Sequence, residues 1–168
     1  GIETINGHLI DWNLMHDFTY SHALDSGFRV SAVASSDSHG PKWGYNFMRA
    51  KTVLLAKEKS REAFLDALRN NRFYATESGN VKLRYTVNGK QAPADLEEAT
   101  SYKFHVELDY FKEDKATRPV ECQVISDYGK TLLTLKDFSD RFDFDISSDT
   151  ARYFYLRFTD AMGRRTWS

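Results

Sequence analysis

Cysteine is almost absent: Cys122 is the only one in 168 residues. A disulfide framework and a thiolate metal site are therefore excluded. Cys122 lies in an alternating segment, where a small core residue is favoured over a nucleophile. No apolar run approaches the roughly 18 residues of a membrane span, and no signal peptide is visible. Neither sign of charge is in excess. Lys and Arg number 23 against 24 Asp and Glu, for a net charge of -1. Residues 1–78 carry nine of each sign and residues 79–168 carry 14 basic and 15 acidic groups, so neither part has a nucleic-acid footprint. Internal repeats, low-complexity linkers and the Gly-x-Ser-x-Gly elbow of serine hydrolases are missing too.

What is present is packing material. The chain is 41% apolar and 14% aromatic, enough to bury a core. Its texture changes near Gly79. Before that point short apolar strands alternate with helical patterns; after it, alternating strands follow one another with almost no helix. The pattern predicts an α/β piece over residues 1–78 and an all-β domain over residues 79–168.

In the first piece Ile2 to Ile5 reads as a strand ending at the Asn6-Gly7 turn. Trp12 to Asp25 reads as a helix, with Leu14, Met15, Phe18 and Leu24 broadly on one side and Gly27 as its stop. Phe28 to Ala34 has the pattern of a strand covered on both faces, and Lys51 to Ala56 forms another. A second helix starts at Ser60, whose side chain can cap it, with Phe64, Ala67 and Leu68 as its buried stripe. In the second piece Val81, Leu83, Tyr85 and Val87 share one strand face before a tight Asn88-Gly89 turn. Tyr102 to Tyr110 and Val120, Cys122 and Val124 repeat the alternation. Further strands are expected at Thr131 to Leu135, Phe142 to Ile146 and Tyr153 to Thr159. Six or seven strands in that length fit an immunoglobulin-like sandwich.

The chemistry-bearing stretch is "VSAVASSDSHG", where an apolar strand runs into Asp37 and His39. On an extended segment residues two apart point the same way, so this carboxylate and imidazole can converge. Together they suit Zn, Mn or Fe. The spacing is equally that of a polar loop in which Asp37 caps a turn and His39 faces solvent. Asn6 and His8 follow the first strand and are expected at the same end; Glu3 could point inward or pair with a cation. Lys42, Arg49 and Arg72 are the nearest cations in sequence, suited to a phosphate or to a structural salt bridge. His16 and His22 are six apart and form no two-histidine clamp. His105 is expected to be solvated.

Taken together, "IETINGHLIDW", a helix, "GFRVSAVASSDSHG" and "RAKTVLLAKEKSREAFLDALRNNRFYAT" resemble the carboxyl end of the polymerase and histidinol phosphatase (PHP) superfamily of metallohydrolases. The likeness is to its carbaryl-hydrolase-like branch. "TVNGK" and "YFYLRFTDAMGRRTWS" resemble the first and last strands of the β-sandwich that often follows there. The resemblance implies the last βα units of a distorted PHP-type barrel followed by an immunoglobulin-like sandwich. It implies a metal-dependent phosphoesterase or related hydrolase acting on a small phosphate ester or similar substrate. Asp37 and His39 would be the final metal ligands, with Asn6, His8 and Arg49 as pocket candidates. The superfamily's His-x-His and middle-strand ligands have no counterpart here. The chain opens as a fragment would, so the expectation is an incomplete divalent-metal site with little activity alone. Its compartment is left open, and an open strand edge could pair copies of the chain. The alternative is a non-catalytic sandwich that binds carbohydrate or protein.

Overall fold

The computed structural model describes residues 1–6, 10–37, 39–41 and 50–168. In chain order they form β1 (Ile2–Asn6), α1 (Ile10–Asp25), β2 (Ala32–Ser35), β3 (Lys51–Leu54), α2 (Arg61–Arg69), β4 (Phe73–Thr76), β5 (Val81–Val87), β6 (Lys90–Gln91), β7 (Ser101–Tyr110), β8 (Pro119–Ser126), β9 (Lys130–Lys136), β10 (Arg141–Ser147), β11 (Tyr155–Asp160) and β12 (Arg165–Trp167). Strand outweighs helix, and the strands build open sheets. Four strands run in the order β10-β7-β5-β6 and six in the order β3-β4-β12-β11-β8-β9, while β1 and β2 form a parallel pair.

Two-residue alternation makes the sandwich. Val81, Leu83 and Val87 on β5 and Tyr102, Phe104, Val106 and Leu108 on β7 point inward. Opposite them lie Cys122, Val124, Leu156 and Phe158 from the six-stranded sheet. Ring contacts such as Phe104 stacked on Phe144, with centroids 4.8 Å apart, place Phe104, Phe142, Phe144, Phe154 and Phe158 in packing. Cys122 is fully buried, and burial pushes its thiol up to about 12. At neutral pH it carries no thiolate, as expected of a core residue. Val120 departs from the pattern and lies exposed at the start of β8. The Asn88-Gly89 turn forms with both residues at positive φ, 50° and 77°, the conformation a two-residue hairpin needs.

The six-stranded sheet is covered on its other face as well. Residues between the inward ones, namely Ala75, Ile125, Tyr155 and Trp167, pack with Ile5 of β1, Ala32 of β2 and Tyr20 of α1. The result is three layers: α1 with the parallel pair, the six-stranded sheet, and the four-stranded sheet. The change of texture at Gly79 is not a break in the sheet. β4 pairs with β12, matching Thr76 to Thr166 and Ala75 to Trp167, and β3 adds to β4. Among the described residues only β1-α1-β2 is a parallel unit; β3 and β4 run antiparallel on either side of α2.

Two helix faces differ from the periodicity reading. Met15 and Phe18 are 71% and 75% exposed, whereas Asn13, Asp17, Tyr20 and Ser21 are buried. The sheet explains this inversion. It presents the polar tips of Tyr155, Arg157 and Trp167 to α1, and buried donors of that kind require acceptors. Helix α2 starts as expected, with Ser60 Oγ accepting the Ala63 N–H at 3.1 Å. Of its stripe only Ala67 is buried; Phe64 and Leu68 stay exposed.

Candidate functional site

The parallel pairing of β1 and β2 sets Asn6 opposite Ser35, so both strands end at one level. Such carboxyl ends are where βα proteins assemble their sites. The strand stops at Ser35, two residues before Asp37. Asp37 takes φ 49°, a left-handed conformation that aspartate tolerates better than most residues. Its N–H donates to Ser35 Oγ at 3.3 Å. The backbone therefore turns at Asp37 and does not continue the extended segment expected from the sequence.

The turn still brings the acid and the imidazole together. His39 Nδ1 lies 2.9 Å from the Asp37 carbonyl oxygen and 3.5 Å from Asp37 Oδ1. Both side chains are open, His39 at 82% and Asp37 at 52% of full exposure. A carbonyl oxygen can only accept, so the 2.9 Å contact is a hydrogen bond with the proton on Nδ1. In a neutral ring so bonded, Nε2 carries the lone pair with which histidine binds metals. The other nitrogen offers a second mode. Two ligands about 2.1 Å from one ion at a tetrahedral angle stand about 3.4 Å apart, close to the Nδ1–Oδ1 separation. Using it would require giving up the carbonyl bond.

The donor set fits a divalent ion in chemistry and falls short in number. A catalytic zinc takes about three protein ligands, and the described turn supplies two. Among the described residues no three His, Cys, Asp or Glu side chains are grouped to hold an ion.

Asn6 faces into the framework of the mouth. Its Nδ2 donates to Glu3 Oε2 at 3.1 Å, which accounts for Glu3, and its backbone N–H donates to Asn13 Oδ1 at 3.0 Å. Asn13, fully buried, donates in turn from Nδ2 to Glu77 Oε1 at 2.6 Å. Glu77 Oε2 accepts the Arg165 N–H at 2.6 Å. Burial holds the Glu77 carboxyl above the ordinary glutamate range, against the lowering effect of those two donors. Asn13 and Glu77 were missed in the sequence. The signal available was the polar stripe Asn13-Asp17-Ser21 at four-residue spacing on α1, which reads as a solvated face until a sheet is placed against it.

The remaining candidates separate cleanly. His8, Ser38, Lys42 and Arg49 lie outside the described residues. Arg72 is paired with Asp66 beside α2, a structural salt bridge. His22 stacks on Phe18 at 6.2 Å on the outer side of α1. His105 is not merely solvated: Nδ1 meets Asp143 Oδ1 at 3.0 Å across β7 and β10.

No protein-family model, no curated protein and no solved structure matches the chain. No helix among the described residues is long and apolar enough to cross a membrane.

Proposed function

We propose that residues 1–78 are the closing βα units of a PHP-type metallohydrolase and that Asp37 and His39 are two ligands of its divalent ion. The parent protein would hydrolyse a phosphate ester or related small substrate, and this chain alone would hold the ion weakly and turn over little. One observation carries the reading. An exposed carboxylate and an exposed imidazole stand 3.5 Å apart at the carboxyl mouth of a parallel βαβ unit. An ion held there would activate a water and polarise the bond under attack. The chain's own part is to present Asp37 Oδ1 and a His39 nitrogen on a turn fixed by the Ser35 hydroxyl.

Residues 79–168 are, on the same proposal, an immunoglobulin-like sandwich. With β5, β7 and β10 as its A, B and E strands and β8, β11 and β12 as C, F and G, the sheet orders support this topology. The free side of β1, which pairs with β2 alone among the described residues, is where a further strand from the parent or a second copy would add.

The test is zinc titration of the chain, of Asp37→Ala and of His39→Ala, followed by the ring signals of His39 or by calorimetry, alongside a phosphatase assay. Weak binding by the wild type should fall by at least about tenfold in each variant, as for loss of a metal-site group. Equal affinity in all three proteins would remove the metal reading and favour a non-catalytic module for carbohydrate or protein. Rapid phosphate release by the chain alone would show that the remaining ligands are within it.

A further inference from the structure

The hydrogen bonds around Asn13 form an unbroken path between the sandwich and the mouth. The path starts at the Arg165 N–H on β12 and passes through the Glu77 carboxylate and the Asn13 amide to the Asn6 N–H on β1. Asn6 stands opposite Ser35, whose hydroxyl accepts the Asp37 N–H. Asn13 is suited to the middle of this path because its amide offers an acceptor and a donor at once. Aspartate would lose the donor and set a carboxylate against Glu77; leucine would lose both bonds and leave the Asn6 N–H without its acceptor.

We infer that Asn13 is a positioning residue through which the sandwich holds the mouth of β1 and β2, and with it Asp37 and His39, in place. The inference rests on the metal-ligand reading for its functional meaning, while the mechanical link stands on these hydrogen bonds and on the pairing of β1 with β2. On this view the sandwich is part of the site's support and not a passenger. Glu77 and Arg165 never touch the ion, yet they set how closely its two ligands are kept together.

The experiment uses the whole chain and a swap of partners. At about pH 8, chosen to keep the two acids from sharing a proton, Asn13→Asp breaks the link, because two carboxylates then face each other. The double variant Asn13→Asp with Glu77→Gln restores it by exchanging the two groups. The amide now at position 77 donates to the carboxylate at position 13 and accepts the Arg165 N–H, while that carboxylate still accepts from Asn6. Amide exchange at Asn6 and Asp37 is read by NMR without metal, with Phe104 in the sandwich core as control, and zinc affinity is read at His39.

In Asn13→Asp we expect the Asn6 and Asp37 amides to exchange about three- to tenfold faster, the range of one net hydrogen bond. Phe104 should not change. Zinc affinity should fall by a similar factor, and the double variant should return both readouts towards wild type. Wild-type exchange at Asn6 and Asp37 in Asn13→Asp would overturn the link. Faster exchange with unaltered zinc affinity would overturn its role for the ligand pair. If the wild type binds no zinc, the metal reading fails by itself and exchange still decides the link. Should Asn13→Asp not fold, recovery of folding in the double variant supports the link, and failure of both overturns it.

Discussion

Glu77 holds a carboxyl group in surroundings that disfavour its charge. Its carboxyl is buried and held above the ordinary glutamate range by desolvation, even though Asn13 and the Arg165 N–H both donate to it. The pH consequence has a definite sign. An acid whose folded pKa is raised favours folding fully below its unfolded pKa, and that advantage is lost as pH rises through the folded value. Glu77→Gln removes this dependence, although it gives up one acceptor. As pH rises from about 4, near the ordinary glutamate value, the melting temperature of the wild type should therefore slip relative to that of Glu77→Gln until the raised folded value is passed. Thermal melts at matched ionic strength check this; a gap that moves the other way would mean that the two donors outweigh burial. Asp17 contrasts with Glu77. It accepts from Tyr155 OH and Trp167 Nε1, both at 2.9 Å, and pairs with Arg157. Here the charge is matched by a guanidinium, and the cost of burying either partner alone is avoided.

At the level of elements, α1 is the surprise and β5 and β7 are not. A strand with one buried face must alternate, so Val81, Leu83, Phe104 and Val106 announce their side before any coordinates exist. A helix chooses its face by what it meets. α1 meets a sheet carrying polar tips, and it is held at three levels by Asn13 near its start, Asp17 in its middle and Asp25 at its end. Asp25 accepts the Tyr128 N–H at 2.9 Å and Tyr153 OH at 3.1 Å, and it pairs with Arg152 at 3.1 Å. Its apolar residues Met15 and Phe18 are left outside. Phe18→Ser should therefore change unfolding stability by no more than about 0.5 kcal/mol. Ile5→Ala, on the fully buried side of β1, should cost about 2–5 kcal/mol. Urea denaturation of both variants measures the contrast; a large loss in Phe18→Ser would place that ring in an interface.

For the whole molecule the question is whether the sandwich stands alone. Trp167, Tyr155 and Ile125 lie fully or almost fully buried beneath α1 and the parallel pair. β12 also needs β4 as a neighbour. Residues 79–168 by themselves would bare that apolar surface, leave Arg157 without Asp17 and open the edge of β12. Exposed surface of this kind drives association. The isolated segment should show no cooperative melt, or should self-associate, in light scattering and calorimetry. A monomer melting as sharply as the whole chain would show that the outer layer is dispensable.

The sequence by itself determined the elements whose side chains obey a short period: the sandwich strands, the Asn88-Gly89 turn, the Ser60 cap and the buried Cys122. It also placed Asp37 and His39 just beyond a strand. Only the tertiary structure decided that Asp37 and His39 meet through a turn, that β4 joins β12, and that α1 buries its polar side. The physical reason is locality. Alternation and capping are settled within a few residues, whereas the partner of Asn13 lies 64 positions away and that of Asp17 as many as 150. A buried polar group is recognisable only when the distant group that satisfies it has been brought beside it.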